Sequence, residues 1–513
     1  MEFKIPVLSQ FLGFAAPGST SNPFTEPPKP SRLQELPAEI HLLILHYLKH
    51  RDKLSLLRAS RFFYDLLLPL FYENLNTRCT HNLVETLVRT PSLCAYPRSL
   101  RLHAWKAPIP QGPGEGEGEA ERSIGIIDID LILRRWDPSL VLAKAREASL
   151  SDEEAARWEA DIKRENADAW TGLLLTLLPN LVRLYVQFPQ HSVYVPRVIQ
   201  SAASGQYTSI PVLQNIQEVA VSAAFEPDRE SVPSLVSPFF GLPRLRWLTT
   251  DALFDGETHN HTPTQTSPIT HLSIGWNRGG LERLDDLVKN CPHLESFRYG
   301  YFPYSWCDPL LNHYLYPALL QRKQSLKKLW LDINSRHDAG ALSRTWPSFS
   351  EFSALELLHV PHHLLGHFYH HAPETETVRG LPDLLPPSLE TLHVTAVGTS
   401  AVNALFPCLA EYVRLRSRQA QQGLGQELTE LVIASATFLP NMDNANANSD
   451  LDISTASITD PDTGRPPRSL LDHVIDLRDT CIASGTRFAI HRKDSRALAH
   501  WEFKEPFPRR DLR

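Results

Sequence analysis

The stretch Leu281-Glu-Arg-Leu284-Asp-Asp-Leu287-Val288-Lys-Asn-Cys-Pro292-His-Leu294-Glu-Ser-Phe297-Arg-Tyr299 changes periodicity halfway along. Leu281, Leu284, Leu287 and Val288 recur every three or four residues, which places them on one face of a helix. Pro292 falls in the turn that follows, and Phe297 and Tyr299 alternate as the side chains of a strand do. Leu294, upstream of both, turns in from the corner. The segment reads helix, turn, strand.

The strand part recurs along the chain as an apolar residue, two spacers, an apolar residue, one spacer and a third apolar residue. It appears as Leu181-Val-Arg-Leu184-Tyr-Val186, Leu245-Arg-Trp-Leu248, Ile269-Thr-His-Leu272-Ser-Ile274, Leu294-Glu-Ser-Phe297-Arg-Tyr299, Leu326-Lys-Lys-Leu329-Trp-Leu331, Leu355-Glu-Leu-Leu358-His-Val360, Leu389-Glu-Thr-Leu392-His-Val394 and Leu428-Thr-Glu-Leu431-Val-Ile433. Weaker relatives occur at Leu100-Arg-Leu102, Ile216-Gln-Glu-Val219-Ala-Val221 and Phe488-Ala-Ile490. A helical run also precedes Leu181, from Leu173 to Pro179. The pattern resembles the leucine-rich repeat, which implies an irregular α/β solenoid with its strands side by side. Through the middle of the chain copies stand roughly 24 to 39 residues apart, against about 20 to 29 in regular arrays, and the consensus asparagine is mostly missing. The resemblance is therefore to the divergent, loop-bearing repeats found behind many fungal-type F-boxes. A non-solenoid α/β fold with ordinary leucine-rich strands is the competing reading.

Near the start, residues 36–48 read Leu-Pro-Ala-Glu-Ile-His-Leu-Leu-Ile-Leu-His-Tyr-Leu. Pro37 suits the first turn of a helix, and Glu39 lies near its positive dipole end. Apolar residues cover more than one face of this helix. A second helix from Asp52, with Leu54, Leu57 and Phe62 as its apolar positions, and a short third from Pro69 to Leu75 cover part of it. The surplus calls for a partner. The segment resembles an F-box, the adaptor-docking module of SCF-type ubiquitin ligases. Leu36, Pro37, Ile40, Ile44 and Leu48 match the positions that contact a Skp-type adaptor in that family, and Asp52 and Ser60-Arg-Phe-Phe63 match as well. Phe71-Tyr72 stand where the family carries a tryptophan. The resemblance implies a three-helix F-box ahead of the solenoid. It also implies a substrate-recognition subunit that docks the adaptor and, through it, a cullin scaffold, while holding a protein substrate on its repeats. A repeat scaffold that binds partners without directing ubiquitination is the alternative.

The expected order is a disordered lead over 1–30, the F-box over 32–76, and a linker helix with the first repeat strand over 77–107. A disordered loop and charged helical insertion follow over 108–169, then the irregular repeat domain over 170–440. A disordered insertion over 441–467 precedes a C-terminal repeat or cap over 468–513. The Gly/Glu alternation of Pro108–Glu121 cannot bury enough apolar surface to order itself. Ser151-Asp-Glu-Glu154 is a capping-box start for a helix running to about Ala169.

Composition narrows the function. The 513 residues are 42% hydrophobic, include 41 prolines and carry a net charge of −7, which gives no broad basic field for nucleic acid. No apolar run is long enough to span a membrane. The six cysteines form no Cys-x-x-Cys pair, which suits the reducing cytosol or nucleus. Six of the 22 histidines fall in His359-Val-Pro-His362-His363-Leu-Leu-Gly366-His367-Phe-Tyr-His370-His371. On a helix, His363, His367 and His370 or His371 share a face and could bind zinc, but Gly366 interrupts the helix and no carboxylate joins them, so no metal is expected. Neither a phosphate loop, a cofactor fingerprint nor a nucleophile motif is present, and a non-enzymatic protein without cofactor is expected. Aromatics cluster in or just after the repeat strands at Tyr185, Trp247, Trp276, Tyr299, Tyr301, Trp306 and Trp330. Outward strand positions line the concave surface of a repeat array. Arg298 and Trp330 are strand spacers and Trp276 follows Ile274 in alternation, so these three are the expected substrate contacts.

Overall fold

The computed structural model describes residues 36–48, 50–77, 80–105, 138–189, 192–223, 235–250, 266–277, 282–301, 315–333, 346–365, 380–397, 399–435 and 470–492. The expected lead over 1–30, the Pro108–Glu121 loop and the 441–467 insertion lie outside the described residues. The chain forms two compact units that divide within β4 (Glu218–Ala223).

In the first unit α1 (Ala38–Tyr47), α2 (His50–Ala59) and α3 (Arg61–Glu73) precede β1 (Asn74–Thr77), α4 (Thr80–Arg89) and β2 (Ser99–Leu102). Leu45, Leu57, Phe63 and Leu67 form the buried centre of the three-helix segment. Two sequence expectations are corrected here. Phe62 does not extend the second helix, because the Ser60 hydroxyl accepts the Phe62 N–H and starts α3 afresh. Leu75 is not the end of a third helix but a buried residue of β1, and α3 runs through Pro69 instead of starting there.

Between β2 and β3 (Arg183–Phe188) stand α5 (Pro138–Ala148), α6 (Asp152–Lys163) and α7 (Ala167–Thr176), and α8 (Tyr194–Ala203) follows β3. Ser151 caps α6 by accepting the Glu154 N–H, and Glu154 reaches back to the Leu150 N–H at 3.0 Å and to Arg197 at 2.6 Å. The single helix expected to run to Ala169 is two helices. Glu165 takes a left-handed φ of 59°, and the Asn166 side chain caps α7 by accepting the Asp168 N–H. Trp158 and Ile162 are fully buried, so α6 belongs to the core of its unit.

The buried Asp168 carboxylate joins three parts of this unit. It accepts hydrogen bonds from Trp105 Nε1 at 3.1 Å, Ser192 Oγ at 2.7 Å and the Val193 and Tyr194 N–H groups at 2.6 and 2.7 Å. The last two are orphan donors at the start of α8, where negative charge is favoured.

The second unit holds β5 (Trp247–Thr250), β6 (His271–Asn277), α9 (Glu282–Lys289), β7 (Ser296–Tyr301), α10 (Tyr316–Leu320), β8 (Lys328–Ile333) and β9 (Leu357–Pro361). It continues with α11 (Leu381–Leu384), β10 (Thr391–Thr395), α12 (Thr399–Gln421), β11 (Glu430–Ser435), α13 (Leu470–Ala483) and β12 (Arg487–Arg492). From β5 to β12 each strand pairs in parallel with the next. The apolar triplets Leu326/Leu329/Leu331, Leu355/Leu358/Val360, Leu389/Leu392/Val394 and Leu428/Leu431/Ile433 are each 0–1% exposed. Every such side chain contributes about 1.5–3 kcal/mol by leaving water.

One backbone device recurs between successive strands. The Glu295 carbonyl accepts the Lys327 and Lys328 N–H groups at 2.8 and 2.9 Å, and the Lys327 carbonyl accepts those of Glu356 and Leu357 at 2.8 and 3.0 Å. The Glu356 carbonyl does the same for Glu390 and Thr391 at 2.8 and 2.9 Å. Hydroxyls reinforce the corners: Ser325, Ser388 and Thr486 donate to the carbonyls of Leu294, Leu355 and Leu428.

Asp168→Ala leaves buried donors without an acceptor and is expected to destabilise the first unit by about 2–4 kcal/mol. Urea denaturation of the full chain checks this, with Asp168→Asn expected to cost less because one acceptor oxygen remains.

Candidate functional site

Two surfaces carry the residues singled out from sequence. Ile40, Leu43 and Tyr47 fall at helical spacing on α1, Leu36 stands just ahead of it, and all four are exposed, Tyr47 at 79%. His41 and Leu45 occupy the opposite stripe and are buried, with His41 held against Phe62 and Phe63 at ring distances of 5.3 and 5.7 Å. Pro37 stands just ahead of α1, where its carbonyl accepts the Ile40 and His41 N–H groups. Ile44 is half-buried, and Leu48 leans onto the internal cluster of Leu45, Leu57, Phe63 and Leu67. Of the five expected adaptor contacts, Leu36, Pro37 and Ile40 thus lie open to solvent and Ile44 and Leu48 are partly used within the fold. Phe62 and Leu70, each 41% exposed, add to the apolar surface of the segment.

The second surface is the sheet face opposite the leucine core. Parallel register aligns Arg298 with Trp330, Trp330 with His359, His359 with His393 and His393 with Val432. The four polar and aromatic members of this row touch in sequence. Arg298 lies 5.3 Å over the Trp330 ring, His359 stacks on Trp330 at 3.5 Å with 10° between planes, and His359 Nδ1 meets His393 Nδ1 at 3.4 Å. A cation over an aromatic face contributes about 0.5–2 kcal/mol, depending on desolvation. A tryptophan–histidine stack also occurs three strands earlier, where Trp247 lies on His271 at 3.7 Å. In the first unit Arg101 lies 5.4 Å over Tyr185.

Arg298 and Trp330 are brought together as neighbours in one row. Trp330 is only 3% exposed, since Arg298 and His359 cover its faces and Leu357 joins it in a small apolar cluster. Its large contact area is spent on neighbouring strands, so what a ligand meets first is the half-buried Arg298 and the rim of the stack. Trp276 belongs to β6, and its side chain lies outside the described residues. Tyr299 is fully buried in the core. His359 and His393 were not singled out as contacts, yet they occupy the spacer position that Trp330 holds in its own repeat, which was the available signal.

Burial sets the protonation of this region. It pushes His359 well below the ordinary histidine range, with His393 and Arg298 adding repulsion, and lowers His271 as well. His363 is pushed down to about 4 by burial and by His362. The histidine-rich segment does not form one helix: His359 is in β9, while His362 and His363 sit in a short 3-10 turn. His367, His370 and His371 lie outside the described residues. Among the described residues no three His, Cys, Asp or Glu side chains are grouped to hold a metal. Burial also raises the described thiols, Cys291 to about 12 and Cys481 to about 11, and none of the described cysteines is in a disulfide.

A family model described as a leucine-rich repeat domain matches residues 118–453. No curated protein matches the chain. No helix among the described residues is long and apolar enough to cross a membrane.

Trp330→Ala removes the centre of the stack and is expected to destabilise the second unit by about 3–5 kcal/mol, whereas Arg298→Ala costs about 1 kcal/mol. Chemical denaturation of the two variants measures both. A histidine that is neutral when folded and protonated when unfolded stabilises fully above its ordinary value and progressively less below it. His363 therefore removes stability as pH falls from about 6.5 toward about 4. Urea midpoints across that window are expected to decline less steeply for His363→Gln.

Proposed function

This chain belongs to the leucine-rich-repeat domain family, and we propose, on the F-box-like helices that precede its repeats, that it is the substrate-recognition subunit of an SCF-type ubiquitin ligase. The repeat domain is a protein-interaction module. In this reading its sheet face, with Arg298 and Trp330 and with Trp276 on β6, holds the protein substrate. The helices α1 to α3 dock a Skp-type adaptor and, through it, a cullin scaffold. The chain is then no enzyme and uses no cofactor: transfer occurs by proximity, because holding a substrate near a separate ubiquitin-conjugating enzyme raises its effective concentration. Such a subunit works in the cytosol or nucleus, with no nucleic acid and no membrane among its partners.

The observation that carries this reading is the exposed stripe Ile40, Leu43 and Tyr47 on α1, together with the exposed Leu36-Pro37 start ahead of it that resembles an F-box. The stripe stays open although the same helix contributes Leu45 to a formed internal core, so an internal core alone does not explain the helix. An adaptor that covers it gains about 1.5–3 kcal/mol for each buried leucine or isoleucine.

Joint replacement of Leu36 and Pro37 by alanine is expected to abolish co-purification of a Skp-type adaptor while the repeat domain stays folded. Undiminished adaptor binding sinks the proposal. Binding of the adaptor with unchanged turnover of a captured protein, with and without the F-box-like helices, would instead support a scaffold.

A further inference from the structure

The row Arg298–Trp330–His359–His393 has a property that partner binding does not require. Four side chains from β7, β8, β9 and β10 lock together on the face opposite the core, and its two imidazoles are 4% and 3% exposed. Their Nδ1 atoms lie 3.4 Å apart, so one carries the proton that the other accepts. That contact fails when both rings carry a proton on Nδ1. Arg298 stands on the far side of Trp330, a fixed positive charge in line with the pair.

We propose that this row is an acid-sensitive latch: with its histidines neutral it holds β8, β9 and β10 together on their outer face, and acidification opens that face.

The groups facing His359 are Arg298 from β7 and His393 from β10, both of which oppose a second positive charge. Trp330 from β8 supplies only an aromatic face. The other charges of these strands lie in different rows: Lys328 pairs with Leu357, Asp332 with Gly300 and Glu430 with Thr391. Among the described residues no carboxylate is in register with His359 to accept its charge. Protonation consequently favours the opened face, where water solvates the imidazolium. Two imidazoles beside an arginine are a poor cation site, which leaves titration as the chemistry open to the pair.

The sign follows from linkage. A ring that is neutral when closed and of ordinary basicity when open makes opening easier as pH falls below about 6.5, by up to about tenfold per pH unit. Loss of ligand binding in acid rests on the reading of this face as the substrate surface, but opening itself can be measured without any partner. Failure of the latch and failure of that reading are therefore distinguishable.

Amide hydrogen exchange of the full chain, corrected for intrinsic exchange, is the test. Between pH 7.5 and 5.5, opening of residues 328–333 and 357–361 is expected to rise about tenfold in the wild type. His359→Phe, which keeps the ring stack without the titration, is expected to lose that increment. A pH-independent opening in the wild type, or an equal acid response in His359→Phe, overturns the proposal. If that variant does not fold, histidine side-chain NMR of the wild type decides. A His359 ring still neutral at pH 5.5 in the folded protein supports the latch, and a ring titrating at its ordinary value overturns it.

Discussion

The constraint on which this protein rests is a carbonyl, recurring ahead of the strands, that accepts two successive N–H groups from the repeat that follows. Arg98, Val182, Arg246, Thr270, Glu295, Lys327, Glu356 and Glu390 all supply one. Because both donors must point at one oxygen, the next strand can start at only one register. A slip by one residue would turn every core leucine to the opposite face and every spacer inward. Fixing the start leaves the rest of each repeat free to vary in length. This explains how repeats roughly 24 to 39 residues apart still place their leucines side by side.

The same register makes the outer face a surface of rows. Leu329, Leu358, Leu392 and Leu431 line up on one side, so Trp330, His359, His393 and Val432 must line up on the other. Side chains on adjacent parallel strands stand close enough to stack, and the large ones do. The face thereby acquires a packed apolar layer of its own, separate from the leucine core, at Trp330 and Leu357. Rigidity gained in this way has a cost in contact area, since a tryptophan covered by arginine and histidine offers little of its ring to a ligand.

The strands were legible in the sequence because their spacing is local: three apolar positions within six residues suffice to define a face. All eight stronger copies and the three weaker ones fall on strands of the parallel ladder or at its corners. What sequence could not give were features set by residues far apart. Phe62 follows Leu57 in a plausible helical pattern, yet one hydroxyl at Ser60 divides two helices there. Asn166 and Glu165 divide another, inside a run whose charge pattern continues without interruption. The exposure of Trp330 depends on Arg298 and His359, each about 30 residues away along the chain, so its spacer position was readable and its burial was not. Asp168 is the extreme case: an aspartate near the start of a helix looks like an ordinary first-turn acid, whereas its carboxylate organises Trp105, Ser192 and the start of α8.

The two candidate surfaces differ in a way that bears on what each can bind. The first surface is built from Ile40, Leu43 and Tyr47 on α1 and Leu36 just ahead of it, and burying these apolar side chains requires little more than a complementary apolar groove. The sheet face presents charge and aromatic edges held by a lateral stack, so a ligand there gains mainly from geometric fit to Arg298 and the rims of the rings. An apolar helix stripe tolerates repacking and suits one constant partner of matching shape. A rigid polar row discriminates among partners, because its charge and ring edges are fixed in place and a ligand that does not match them gains little. Under the proposed function, the physical character of each surface suits the helices to the constant partner and the repeats to the variable one.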